Sequence, residues 1–311
     1  MAFDAERFRD LYPFTGHVLD RGGLRYHYLD EGGGEPVVCV HGNPTWSFHF
    51  RELVKALRDE FRVVAPDHIG CGLSDKPGDD QYDYTLASRV DDLEALLDHL
   101  GLNQNVTLVV HDWGGMIGFA AALRRPERIA RLVVLNTAAF GLPAGKTLPL
   151  RLRLIRDVGP LGALLVCGLN VFARGAVRMA AARGLSADVR EAYVAPYDSW
   201  RNRIATLRFV QDIPLAAGDA SYELVKWVDD NLHRLRGAAM LILWGERDFV
   251  FDLQFFNEWV RRFPAAETHH YADAGHFVLE DESADVIKRI RAFLTKHALT
   301  PTCGPVAGAL S

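Results

Sequence analysis

Apolar and polar positions along this chain alternate between two habits. Short runs of β-branched and apolar residues at 36–40, 62–66, 106–110, 129–136 and 240–244 carry no helical stripe and predict buried strands. The five-residue stretch 267–271 predicts one more, and residues 16–31 predict a hairpin around Arg21-Gly22-Gly23. Between these runs, 48–57 and 85–100 space their apolar residues as helices do, and 284–297 predicts a closing helix. Strands that alternate with helices imply an α/β fold with a mostly parallel sheet covered on both faces. The alternation stops from Thr137 to about Leu215. That stretch is rich in Leu, Ala, Val and Arg, shows no convincing strand, and predicts an inserted helical cap. The core is then split into 1–136 and 216–299. Residues 300–311 are small, contain Pro and Gly, and predict a flexible tail. No internal repeat is visible.

The strand at 106–110 runs into His111-Asp112-Trp113-Gly114-Gly115 and then into the helical run 116–122. A strand that turns sharply into a helix, with small residues after one polar side chain, is the pattern of a nucleophile elbow. The elbow residue is Asp112. A carboxylate there attacks an electrophilic carbon and forms an ester. The plain alternative is a helix N-cap, a role in which Asp is also common.

Three further stations fall at strand ends, where open α/β sheets place their ligands. His41-Gly42-Asn43-Pro44 offers backbone N–H groups and the Asn43 amide to an anion. Asp248, after Trp244-Gly245-Glu246-Arg247, is placed to orient a histidine. His276, in Asp273-Ala274-Gly275-His276, supplies the base. Taken singly, these are a turn, a loop acid and a packed histidine. Taken together, the order nucleophile, acid, histidine is that of an α/β-hydrolase.

Composition removes other classes. With 49% hydrophobic residues in 311, the chain can bury a large core, and its net charge of −5 includes no basic block suited to nucleic acid. Cys39, Cys71, Cys167 and Cys303 show neither pairing nor metal spacing, which fits a reducing cytoplasm. The first residues lack the basic and apolar regions of a secretion signal, and no apolar run reaches membrane-spanning length. Gly70 and Gly72 follow a strand but open no helix with the full dinucleotide-binding pattern. His269 and His270 are strand neighbours facing opposite ways, a poor metal pair. No metal or cofactor is expected.

These motifs resemble the haloalkane dehalogenase branch of the α/β-hydrolases over about residues 16–294. The resemblance rests on His41-Gly42-Asn43-Pro44-Thr45, on Pro66-Asp67-His68-Ile69-Gly70 with Gly72-Leu73-Ser74-Asp75-Lys76-Pro77, and on Val110-His111-Asp112-Trp113-Gly114-Gly115. It implies an eight-stranded, mostly parallel sheet with helices on both faces and an inserted helical cap. It also implies Asp112 as nucleophile, His276 as the group that activates water, and Asn43 and Trp113 as side-chain N–H donors to a halide. Some members carry an acid at the position of Asn136. Here that role falls to Asp248.

Two cap phrases are more similar to the β-lactone decarboxylases of bacterial long-chain olefin biosynthesis. These are Leu135-Asn136-Thr137-Ala138-Ala139-Phe140 and the stretch 195–215, which begins Ala195-Pro196-Tyr197-Asp198. That family converts a cis-3,4-dialkyl oxetan-2-one to a cis-alkene and carbon dioxide. It implies a small apolar substrate and, as candidate partners, other enzymes of olefin biosynthesis. A strained lactone and a carbon–halogen bond share a carbon with an anionic leaving group, so one constellation suits both. The complete Asp248–His276 pair favours a route that needs His276. Haloalkane dehalogenase and epoxide hydrolase are the alternatives. The latter would use cap tyrosines, with Tyr193 and Tyr197 as candidates, although Asn43 stands where that group usually has an aromatic residue. A non-catalytic binding homologue would be expected to have lost a member of the triad.

Overall fold

A computed structural model describes residues 3–299. The predicted tail, 300–311, and Cys303 within it lie outside the described residues. Eight strands form one sheet: β1 (Gly16–Arg21), β2 (Leu24–Glu31), β3 (Pro36–Val40), β4 (Arg62–Pro66), β5 (Val106–Asp112), β6 (Ile129–Thr137), β7 (Ala239–Gly245) and β8 (Glu267–Tyr271). Their order is β1-β2-β4-β3-β5-β6-β7-β8. β2 pairs antiparallel with both β1 and β4, and every other pairing is parallel. The predicted hairpin closes at Gly22 and Gly23, whose φ angles of 65° and 89° suit a two-residue turn.

The apolar runs are continuous because both faces of the sheet are buried. Successive side chains on a strand point to opposite faces. Val38, Val40, Leu108, Val110, Leu132, Val134 and Ile242 join one core cluster, and Val37, Cys39, Val109, Val133, Leu135, Leu241 and Leu243 join the other. Each fully buried side chain of this size contributes about 1.5–3 kcal/mol.

Helices α1 (Arg51–Leu57) and α2 (Leu86–His99) precede β5, and α3 (Trp113–Arg124) follows it. The predicted helix at 48–57 begins as a 3-10 turn, Ser47–Phe50, before continuing as α1. The Thr85 hydroxyl caps α2 by accepting from the Ser88 N–H. Between β6 and β7 lie α4 (Leu150–Asp157), α5 (Gly159–Ala163), α6 (Val171–Met179), α7 (Ala187–Val194), α8 (Ile204–Gln211) and α9 (Tyr222–Asn231), with a π-helical turn at Leu164–Gly168 and no strand among the described residues. After β7 come α10 (Leu253–Arg262), α11 (Val278–Asp281) and α12 (Ser283–Lys296). α2, α3, α9 and α10 contribute to the first cluster, and α1 and α12 to the second. Among the described residues no single helix is long and apolar enough to cross a membrane.

Candidate active site

Asp112 sits at the end of β5 with φ 53° and ψ −127°, a region that non-glycine residues rarely occupy. Two glycines make this elbow possible. A Cβ on Gly42 would overlap the Asp112 carboxylate, and one on Gly114 would overlap the Val40 carbonyl. The strand end, the carboxylate and α3 are thereby packed at backbone contact.

Backbone donors hold the carboxylate. The Asn43 N–H donates to Asp112 Oδ1 at 2.6 Å. Thr137 Oγ1 donates to the Asp112 carbonyl and ties the elbow to the end of β6. Burial pushes the Asp112 carboxyl above the usual carboxylate range, against the pull of His276 and of the backbone N–H groups of Asn43 and Trp113.

His276, in the loop after β8, faces the other carboxylate oxygen, with Nε2 3.6 Å from Asp112 Oδ2. Its Nδ1–H donates to Asp248 Oδ2 at 2.7 Å. Burial disfavours the imidazolium, but the Asp248 charge, its hydrogen bond and the Asp112 charge outweigh burial, so the His276 pKa lies above its ordinary 6.5. Asp248, after β7, is saturated. Besides His276 it accepts from the Asn136 amide at 3.0 Å, from Val250 N–H at 2.7 Å and from Phe251 N–H at 3.0 Å.

Asn43, Asp112, Trp113 and His276 all border one cavity of about 740 Å³. The rest of its wall is largely apolar and comes mostly from the segment between β6 and β7, including Leu148, Ile155, Phe172 and Val210. Trp46, Trp244 and Trp259 donate their indole N–H groups to backbone carbonyls, whereas Trp113 makes no such bond among the described residues. Its donor is available to the cavity. Asn43 differs from expectation. One N–H of its amide donates to the Thr206 carbonyl on α8 at 3.0 Å, and its Oδ1 is buried without a partner. Only the second amide N–H is left for a substrate anion.

Five predicted site residues therefore converge: His276 is hydrogen-bonded to Asp248 and faces Asp112 at 3.6 Å, with Asn43 and Trp113 beside the carboxylate. Tyr193 and Tyr197 do not join them. Their hydroxyls bond to Glu280 and to the Thr45 carbonyl, and neither residue borders the cavity. That removes the geometric basis for an epoxide-opening pair. Among the described residues no group of three or more His, Cys, Asp or Glu is arranged to hold a metal ion.

The alpha/beta hydrolase fold family model matches residues 35–283. The chain belongs to the α/β-hydrolase family. Within the family, it is 55% identical over 287 residues to the cis-3-alkyl-4-alkyloxetan-2-one decarboxylase of Shewanella oneidensis, covering 92% of this chain and 90% of that one. It is 47% identical over 296 residues to the enzyme of the same name from Xanthomonas campestris, covering 93% and 98%. Haloalkane dehalogenases match at lower identity. The solved structure of the dehalogenase DatA from Agrobacterium tumefaciens superposes with a TM-score of 0.81 at 25% identity, covering 91% of this chain and 97% of that one.

Three residues within the motifs have roles that the motifs do not reveal. Asn136 takes a positive φ of 32°, and its amide bridges the Gly245 backbone and Asp248. His111 donates from Nε2 to the His276 carbonyl at 2.9 Å and stacks on His49 with ring centroids 4.3 Å apart. Burial holds the pKa of both His111 and His49 well below 6.5, so they are neutral spacers. Thr137 fixes the elbow carbonyl. The only sequence signal for any of these is a polar residue inside an apolar strand, which by itself names no partner.

Proposed function

We propose that this chain converts a cis-3-alkyl-4-alkyloxetan-2-one to a cis-alkene and carbon dioxide through an ester on Asp112, with His276 and Asp248 completing the triad. Residues 137–215 act as the cap, closing the cavity over a core made of 1–136 and 216–299. The observation that carries this reading over dehalogenation is the 55% identity, spanning nine-tenths of both chains, to an enzyme of that name. The apolar 740 Å³ cavity supports it, since two alkyl chains must be housed beside one carboxylate.

The chemistry follows bond by bond. Asp112 Oδ2 attacks the ring carbon that bears the ring oxygen, and that C–O bond breaks with inversion. The freed carboxylate stays tethered to the neighbouring carbon. It departs as carbon dioxide, its C–C bonding pair becomes the alkene π bond, and the Asp112 carboxylate is expelled from the opposite face. Inversion followed by anti expulsion gives net syn loss, so a cis lactone yields a cis alkene. No water is consumed and no proton changes hands. The Trp113 indole and the free Asn43 N–H serve the carboxylate as it forms. A single such donor contributes roughly 3 kcal/mol. His276 acts as a fixed positive charge for Asp112 as it leaves. In the competing route Asp112 attacks the carbonyl, forming a mixed anhydride and an alkoxide that takes its proton from His276. Both routes use His276 as a cation, but the second needs water to clear the enzyme, and that hydrolysis releases a 3-hydroxy acid rather than alkene and carbon dioxide.

Three buried free cysteines support a reducing cytoplasmic setting, and enzymes that form the lactone are the natural partners. Parallel incubation with a cis-dialkyl β-lactone, a bromoalkane and an epoxide tests the assignment. Alkene from the lactone is expected. Bromide release without any alkene would install the dehalogenase reading, for which the Trp113 and Asn43 donors are also suited.

A further inference from the structure

Nine of the fourteen exposed large apolar side chains among the described residues fall within 142–179. The concentration is not a matter of chance exposure at loop tips. Leu150, Leu154 and Val158 recur every four residues, on one outward face of α4 and its end, with Leu150 71% exposed. Within the same stretch stand six Lys and Arg and a single carboxylate, Asp157, in a chain whose net charge is −5. Arg151, Arg174 and Arg178 have no carboxylate within salt-bridge distance among the described residues. On α6, Val171, Arg174 and Arg178 share one exposed face.

Part of this patch lines the cavity. Leu142, Leu150, Arg151, Val171 and Met179 are exposed and yet border the cavity. The apolar interior therefore continues onto exposed apolar side chains, interrupted by Lys146, Thr147 and Arg151. The helical stretches Gly159–Gly168 and Val171–Met179 meet at 68° and together have the length and hydropathy of a membrane span, which no single helix among the described residues has.

We propose that the surface of α4 to α6 docks on an anionic lipid bilayer, with the cavity mouth facing the acyl layer. Aliphatic side chains enter the headgroup boundary, and the interspersed guanidinium groups pair with lipid phosphates. Long arginine stems lie along the apolar layer while their heads reach the charged zone. A dialkyl substrate, and an alkene product with no polar group, then pass between lipid and cavity without crossing water. The identity of that cargo rests on the decarboxylase reading; the docking surface does not.

The test is sedimentation of the full chain with vesicles of phosphatidylglycerol and phosphatidylcholine, or of phosphatidylcholine alone. Two double variants accompany it, Arg174→Glu with Arg178→Glu and Leu154→Asp with Leu164→Asp. None of these four residues borders the cavity. Binding to the anionic vesicles that weakens with salt is expected. Loss of two arginine charges alone should lower affinity by about thirtyfold, so the charge-reversing pair should lower it by at least that much, and the leucine pair should lower it by at least about tenfold. Turnover of a short-chain, water-soluble cis-β-lactone should match wild type in both, which also reports folding. Equal binding to neutral vesicles, or unchanged binding by the variants, would overturn the proposal. So would an absence of vesicle binding together with a dimer in light scattering that Leu154→Asp with Leu164→Asp disperses. Failure to turn over any β-lactone would instead strike the decarboxylase reading, while sedimentation still reports on docking.

Discussion

Two regions meet at the cavity and are built on opposite rules. At the ends of β5, β7 and β8, polar groups are held by dense hydrogen bonding. Asp248 alone accepts four hydrogen bonds of 2.7–3.0 Å, and Asp112 is held in a disfavoured backbone conformation by glycine-tight packing. Across the cavity, α4 to α6 of the segment between β6 and β7 are loosely buried. α4 buries only Ile155, and α6 only Ala173 and Val177. The contrast separates two tasks. Bond making needs a carboxylate, an imidazolium and two N–H donors fixed within tenths of an ångström. Housing alkyl chains needs only apolar surface of suitable shape, and that surface can vary without disturbing the chemistry.

Substitution on the two sides of the cavity should expose this asymmetry. The largest effect is expected from Asp112→Ala, which removes the bond-forming oxygen: kcat should fall by about 10⁴-fold or more with the thermal midpoint nearly unchanged. Asp248→Asn keeps the shape but not the charge, and should lower kcat by roughly 10³–10⁴-fold in steady-state assays. Next comes stability. Val109→Ala, in the centre of β5 and fully buried, should cost about 2–3 kcal/mol in denaturant unfolding, whereas Leu154→Ala on the exposed face of α4 should stay within about 0.5 kcal/mol. Equal losses at the two sites would erase the distinction between the regions. Asn136→Ala should be milder than Asp248→Asn, lowering kcat by roughly tenfold, since Asp248 keeps three of its four donors.

The pH profile sharpens the same contrast. Asp112 must be ionised to attack, and its pKa is raised, so activity should climb with pH over a limb lying above 3.8. His276 acts as a cation and its pKa is also raised, so activity should decline as pH rises through a value above 6.5. The two limbs belong to the coupled pair rather than to either residue alone. Activity that instead increases through the upper limb would show His276 working as a neutral base and would contradict its role as a cation.

Much of this was legible in the sequence, for identifiable reasons. β-branched runs name buried strands because both faces of a parallel sheet are covered. Asp112 is visible because an elbow needs small residues such as Gly114 and Gly115 close behind it. Long-range polar partners leave no such trace. The amide of Asn43 was expected to face an anion, yet one of its N–H groups is taken by the Thr206 carbonyl, 163 residues away on α8. Asn136 stands where an acid could have stood, and its work of bridging Gly245 to Asp248 depends on how β6 and β7 align. The insertion was legible as helical and no further. Its exposed leucines, Leu150 above all, break the rule that an apolar stripe faces the core.

The central claim is that Asp112 carries the substrate as an ester that leaves as alkene. Rapid quenching of wild-type enzyme mixed with a cis-dialkyl β-lactone in ¹⁸O-labelled water, followed by mass spectrometry of the Asp112 peptide, tests it most directly. A transient adduct heavier by the mass of the intact lactone is expected on Asp112, decaying to cis-alkene with no ¹⁸O in the regenerated carboxylate. Full-rate alkene formation with no adduct, or formation of alkene by Asp112→Ala, would contradict it.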